Sequence, residues 1–346
     1  MRKSVLFIIF SFLLMLSGCN GSSGFGSREL SAEELEVQHR EAMAADALDR
    51  AMQLFHDGEF LDDEAAFMYL DEAVELDPTL VTARYQRAIL LLEQGRNDES
   101  LVDVDAVLKI KPDHIQALFT RGYIMFHRQD YTTAVQDFSA VIDEDDTISE
   151  AYALRGSCYA KLHRFDDAVH DYTQALASNP AHHDAYFNRG VARMALGDYK
   201  QAAHDLTQAM TMDSQSLETI MTRASVYMKL GQFRRAIADY HRAIVLLPSD
   251  SGLYGLLAEA HSGAGEYGAA QRAAKRALLL AQAEDDDKAA AVYASLIESY
   301  KVKAAAPKPP APEVVAPKLP APEVIAPEAP EPQSVEPESN TEKPSE

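Results

Sequence analysis

Only four prolines precede residue 304: Pro78, Pro112, Pro180 and Pro248, spaced 34, 68 and 68 residues apart. A single globular core has no reason to place its breakers at multiples of one interval. A fixed period of this size marks a supersecondary unit that is copied and stacked. With each proline set at position 32 of a 34-residue unit, other positions fall into line. Position 8 is small in Ala88, Gly122, Gly156, Gly190, Ala224 and Ala258. Position 20 is small in Ala66, Ser100, Ala134, Ala168, Ala202, Ala236 and Ala270, and position 17 is aromatic in Tyr131, Phe165, Tyr199, Phe233 and Tyr267. Position 27 is alanine in Ala73, Ala175, Ala209, Ala243 and Ala277, with Val107 and Val141 as exceptions. Small residues at 8 and 20 let two antiparallel helices approach closely. Glycine at position 15 (Gly95, Gly197, Gly231, Gly265) ends the first helix, and position 32 ends the second. The fold class is therefore all-α.

This pattern resembles the tetratricopeptide repeat family, whose helix–turn–helix unit has a large residue at 4, small ones at 8, 20 and 27, and proline at 32. The resemblance covers residues 47–282, about seven units. It implies a right-handed α-solenoid of about seven helix hairpins whose first helices line a concave groove. The first unit departs from the pattern, because "FHDGEFLDDEAAF" brings its glycine three positions early. A helix opens at Ser31, with Glu34 completing a capping box and Leu30 and Leu35 placed for a hydrophobic staple. That helix and the irregular first unit form an N-terminal cap. At the other end "DDDKAAAVYASLIESYKVK" reads as a capping helix with Val292, Leu296 and Tyr300 on one face.

Arginine at position 7 needs an explanation, since the family normally has leucine there. Arg87, Arg121, Arg155, Arg189 and Arg223 occupy it in the five central units, and the same units carry aspartate at position 23: Asp103, Asp137, Asp171, Asp205 and Asp239. The flanking units lack both, with Gln53 and Tyr69 at one end and Leu257 and Ala273 at the other. In a hairpin turning near position 15, positions 7 and 23 face each other. A half-buried guanidinium without a counter-charge costs several kcal/mol, so the two must come and go together. Each arginine pairs across its own hairpin or with the aspartate of an adjacent unit. The ladder is architecture rather than a phosphate site, because the aspartates already neutralise it.

Both ends of the chain differ in character from the repeats. "MRKSVLFIIFSFLLMLSGCN" has a basic start, a short apolar run and Leu16-Ser17-Gly18-Cys19, which resembles a bacterial lipobox. The resemblance implies a signal peptide over 1–18, acylation of Cys19, and Asn20 directing the protein to the outer membrane, facing the periplasm. Residues 19–30 form a flexible, lipid-anchored tether, and 31–303 the solenoid with its caps. From 304 to 346 a Pro-rich low-complexity tail repeats "APKPPAPEVV" and "APKLPAPEVI" and holds 12 of the 16 prolines. Such a composition builds no core and favours extended polyproline II conformations. The tail carries three Lys against eight Glu, which disfavours charge-driven binding to an anionic cell wall.

Formal charge is −22 with a sequence pI of about 4.8, which argues against nucleic acid as a partner. No phosphate loop, GxSxG elbow or HExxH motif occurs, and no CxxC pair. His182-His183-Asp184 is the densest histidine cluster, but it falls on an inter-unit turn, so no metal site is assigned. Cys158, at the packed position 10, reads as a buried thiol. No cofactor, small-molecule substrate or catalysis is expected.

The concave groove remains. In the family it is lined by positions 2, 5, 9, 12 and 13 of the first helices. Positions 5, 9 and 12 here give Tyr85, Ile89, Leu92, Phe119, Tyr123, Phe126, Phe187, Val191, Met194, Met221 and Met228. Positions 4, 8 and 11 already supply the core of each hairpin, so a second apolar stripe points to a binding surface for a protein or peptide segment. Position 2 is acidic in Glu150, Asp184 and Glu218, giving the groove a negative rim. The Lys/Asn carboxylate clamp of some family members is missing from positions 5 and 9. The resulting expectation is an envelope-anchored scaffold lipoprotein for protein–protein assembly, similar at this level to pilotins, hydrolase adaptors and outer-membrane assembly subunits. The alternative is a structural spacer, or an accessory factor of cell-wall metabolism, linking outer membrane to cell wall through the tail.

Overall fold

The structure, a computed structural model, describes residues 31–56 and 58–305. The chain divides into two units, residues 1–304 and 305–346. The helical array lies in the first, and of the second only Ala305 is described. The signal segment, Cys19, the tether and the proline-rich stretch from 306 lie outside the described residues.

Seven helix hairpins follow one another. α1 (Ala32–Gln53) and α2 (Asp63–Leu76) make the first; α3 (Val81–Glu93) and α4 (Asn97–Ile110), α5 (Ile115–His127) and α6 (Tyr131–Glu144), and α7 (Ser149–Lys161) and α8 (Phe165–Ser178) make the next three. α9 (His183–Ala195) with α10 (Tyr199–Met212), α11 (Leu217–Lys229) with α12 (Phe233–Leu246), and α13 (Ser251–Gly263) with α14 (Tyr267–Ala283) complete the set, and α15 (Asp287–Ala305) closes the array. The arrangement is the α-solenoid that the period implies.

The small positions work as close-approach points. A Cβ added to Gly190 would stand 2.9 Å from Leu206 Cγ, and one on Gly122 3.0 Å from the Phe138 ring. At the hairpin turn, position 15 takes the left-handed backbone region, as at Gly95 (φ 76°). The Arg96 N–H then reaches back to the Leu91 carbonyl at 2.8 Å and satisfies a helix-end acceptor. Between units, the residue at position 31 is extended, for example Asp77 before Pro78 at φ −132°, ψ 93°. Asp145 and Asp213 adopt the same geometry without a following proline. The aspartate carboxylate at position 31 accepts the N–H two residues on in turns of both kinds, Thr79 at 2.8 Å beside Pro78 and Thr147 and Gln215 at 2.9 Å without a proline, so this bond holds the turn either way.

First helices of successive units touch (α5 with α7, α7 with α9, α9 with α11), whereas second helices make no comparable pairs. First helices therefore form the inner surface and second helices the outer one.

Two terminal features differ from expectation. The helix from Ser31 is not separate from the first unit: α1 runs 22 residues without a break and is itself the first helix of hairpin one. The early glycine, Gly58, sits in the turn of a two-residue antiparallel ladder, β1 (Phe55–His56) with β2 (Glu59–Phe60), in place of a tight helical turn. The Phe55 and Phe60 rings meet edge-on at 5.0 Å and seal it. In α15 the buried side chains are Ile297 and Tyr300, while Val292 is 56% exposed. The helix seats its Tyr293 ring against Gly255 on α13, where a Cβ would come within 2.7 Å. That contact selects the stripe 293, 297 and 300, and Val292 lies one residue, about 100°, away from it. Among the described residues, no helix is long and apolar enough to cross a membrane.

Candidate functional site

The arginine ladder is resolved residue by residue. Each position-7 arginine forks onto the aspartate of its own hairpin. Arg155 donates from Nε to Asp171 Oδ2 at 2.7 Å and from Nη2 to Oδ1 at 2.9 Å. Arg87–Asp103, Arg121–Asp137, Arg189–Asp205 and Arg223–Asp239 repeat the geometry. The aspartates are buried, Asp171 to 1% exposure. The Arg155 guanidinium is held above its ordinary pKa, first by its hydrogen bonds to Asp171.

The remaining donor, Nη1, leaves the hairpin. It reaches position 25 of the preceding unit: Asp71 from Arg87, Asp105 from Arg121, Ser139 from Arg155, Thr173 from Arg189 and Thr207 from Arg223, at 2.6–3.2 Å. One side chain thus closes its own hairpin and staples it to the last. Position 25 was not singled out in the sequence, because it varies between Asp, Ser and Thr and only its acceptor oxygen is constant. With all three faces of the guanidinium occupied, the ladder is not open to a phosphate.

The predicted groove residues divide. Tyr85, Ile89 and Phe119 are 5%, 1% and 4% exposed and belong to the core. These three do not line an accessible groove. The stacking of first helices covers position 5 in this part of the array: Tyr85 OH lies 3.4 Å from Thr120 Oγ1 of the next unit, and the Tyr85 ring 5.1 Å from that of His114. Phe119 turns into its own hairpin and meets Phe138 edge-on at 5.5 Å. The other eight, Leu92, Tyr123, Phe126, Phe187, Val191, Met194, Met221 and Met228, are half-buried. Phe187, Met194, Met221 and Met228 cluster against the core of the last hairpins with part of each side chain still facing solvent.

The acidic rim is weaker than the sequence suggests. The Glu150 carboxylate is largely buried and accepts from His182 Nε2 at 3.1 Å, and Asp184 is bonded to His183 Nδ1 at 2.8 Å. Glu218 is exposed. His182 is also the N-cap of α9, its Nδ1 accepting the Ala185 N–H at 3.4 Å. His114 caps α5 in the same way through Ala117. Among the described residues no three His, Cys, Asp or Glu side chains are gathered to hold a metal ion. Cys158 is buried, and burial pushes its thiol up to about 12, far from a nucleophile's range.

A comparison with curated proteins finds no match. Solved structures similar to this chain include PilW, described as a widely conserved type IV pilus biogenesis factor, at 19% identity over 59% of this chain and 94% of that one, TM-score 0.50. A tetratricopeptide repeat protein from Parabacteroides merdae ATCC 43184 matches at 18% identity over 77% and 99%, TM-score 0.47. YrrB, described as a TPR protein with an unusual peptide-binding site, matches at 18% identity over 55% and 96%, TM-score 0.48. At such identities the likeness concerns the fold alone. The family profile of the tetratricopeptide repeat matches residues 85–147, 154–216 and 221–278, more than half of the chain. With that match, and with hairpin after hairpin in one 34-residue register, the chain belongs to the tetratricopeptide repeat family.

Proposed function

We propose that the protein is a non-catalytic, envelope-anchored scaffold, tethered by acylated Cys19 at the outer membrane, that holds an extended or helical segment of a partner protein along its inner surface. The observation that carries this reading is the line of half-buried apolar side chains from Tyr123 to Met228 on the first helices. Phe126, Phe187, Met194, Met221 and Met228 pack in part against the hairpin cores, and each keeps part of its side chain exposed. Aromatic and Met anchors suit such a surface, since Met adapts its shape and aromatic rings bring area at low entropic cost. The proline-rich stretch serves as a spacer.

A photo-crosslinking side chain placed at Phe187 or Val191 should give discrete adducts in growing cells, while the same group at Val102 on the outer surface should not. Alanine at Tyr123 and Met194 together should remove the adducts with helicity nearly unchanged. Adducts that arise only from Val102 would sink the reading. Anchoring is tested separately: Cys19→Ser should move the chain out of the membrane fraction once uncleaved precursor is excluded. A variant that stays there contradicts the lipid anchor.

A further inference from the structure

Charge on the outer surface is segregated along the array. The second helices of the first two hairpins, α2 and α4, expose Asp63, Glu64, Glu75, Asp98, Glu99 and Asp105, with Lys109 as their only cation. The second helices of the last three hairpins are the reverse. α10 exposes Lys200; α12 exposes Arg234, Arg235 and Arg242; α14 exposes Arg272, Lys275 and Arg276. The only acids on these three helices, Asp205 and Asp239, are 0% and 2% exposed and sit under Arg189 and Arg223. Among the described residues, Lys200, Arg234 and Arg235 form no ion pair, and Arg242 reaches only the already shared Asp239, at 3.5 Å.

Between α10 and α12 this cationic face is indented. One cavity of about 340 Å³ is lined by Lys200, His204, Tyr227 and Arg235. A second of about 460 Å³ is lined by Arg242, Val245 and Met210. They adjoin at Thr207, which lines both, and no carboxylate lines either. Arg235 is held in place, its Nη1 donating to Gln232 Oε1 at 2.9 Å and its guanidinium 5.6 Å from the Tyr227 ring centroid. Val245 is 80% exposed at the far end. From Arg235 to Arg242 the helix advances about 10 Å at 1.5 Å per residue. An extended strand covers that distance in roughly three to four residues.

We propose that this outer groove docks a short acidic segment of a partner protein, with carboxylates three to four residues apart at the Lys200–Arg235 and Arg242 ends and an apolar side chain against Val245. A protein segment fits better than an extended polyanion. The net charge of −22 repels long polyanions, whereas beyond a Debye length of about 8 Å a short segment feels only the local cations. The apolar lining at Met210 and Val245 gives a side chain something to bury.

The test is fluorescence anisotropy of a labelled nonapeptide, three repeats of Glu-Glu-Leu, titrated with the full anchored chain in detergent micelles. The expected result is salt-sensitive binding, weakened at least tenfold by Lys200→Glu with Arg235→Glu and restored to that variant by a Lys-Lys-Leu nonapeptide. Neither cation has an ion-pair partner, so helicity should be unchanged. Lys200→Gln with Arg235→Gln, which adds no new charge, should show a smaller loss in the same direction, at least threefold. Val245→Asp should weaken binding as well. Unchanged affinity in the charge-reversed variant overturns the proposal. So does competition by oligothymidylate as effective as by unlabelled peptide, because the face is then a general polyanion surface.

Discussion

Arg155 is two-thirds of a hairpin bond and one-third of an inter-unit bond, and its 15% side-chain exposure puts both in a poorly screened setting. Truncating one member of such a pair leaves the other charge buried and unpaired, which typically costs about 3–5 kcal/mol. Arg155→Leu should therefore destabilise on that scale, and adding Asp171→Ala should recover part of the loss. A double-mutant cycle by chemical denaturation checks this; effects additive to within about 0.5 kcal/mol would show no coupling. Two histidines at one repeat position give a second case. His114 and His182 cap equivalent helices, yet their pKa values move apart. Burial, with Lys111 adding to it, pulls His114 below its ordinary value, whereas the Glu150 carboxylate raises His182. The residue that corresponds to Glu150 two units earlier, in the unit that His114 closes, is Thr82, which offers no charge. The signs follow. The His182 contribution is complete below the unfolded pKa and is lost as pH rises through its raised folded value. The His114 contribution is complete above the unfolded pKa and is lost as pH falls below it. NMR titration should place His182 above and His114 below the free-imidazole value, and Glu150→Gln should lower His182 alone. Equal pKa values for the two rings would contradict the assignment.

At the scale of the element, the hairpin turn is governed by position 15. Four turns place glycine there with φ between 67° and 81°, but Gln129 and His163 take φ 63° and 59° at the same site. A residue with a Cβ pays about 1–2 kcal/mol in the left-handed region. Gln129→Gly and His163→Gly should thus stabilise, each by about 1 kcal/mol or less once the greater freedom of glycine in the unfolded chain is set against it. Both side chains are exposed, and the ring contact given up is the edge-on meeting of His163 with Phe165 at 5.8 Å, so the gain should be the smaller at His163. Thermal unfolding followed by circular dichroism reads the gain, and a lower midpoint in both variants would show that something other than backbone strain governs these turns.

At the scale of the whole array, the main contacts among the described residues join helices of one hairpin or of adjacent hairpins, so stability is a sum of hairpin and interface contributions. Removing one complete unit, residues 149–182, should leave a foldable array. The Arg189 Nη1 that now meets Thr173 would then face Ser139, another hydroxyl, and the joint would be remade. Helicity per residue should be unchanged and the unfolding transition still cooperative at a lower midpoint. Removing only α7 (149–161) should unfold the array locally, since it strands Asp171 and the face of α8. If the whole-unit deletion loses helicity as badly as the half-unit deletion, the units are not interchangeable and the nearest-neighbour description fails.

The hairpins, their number, their turns and the Arg–Asp pairing are all legible in the chain, because each repeats at one interval and rests on contacts between positions in a single unit. The partner at position 25 was hidden, since Asp, Ser and Thr share an acceptor oxygen but no identity. Burial of Tyr85 was decided by how closely the next unit's Thr120 and His114 stack on it, and that of Phe119 by its turning onto Phe138 in its own hairpin; which way a side chain turns is not encoded in the spacing. Exposure of Val292 was decided in the same way by Gly255, which lets Tyr293 seat α15 on a particular stripe. The cations of α10, α12 and α14 can be counted in the sequence. That they share one outer face follows only from packing the helices, because which side of a second helix stays exposed depends on what its neighbours cover, whereas the burial of Asp205 and Asp239 under Arg189 and Arg223 follows from the pairing within each hairpin.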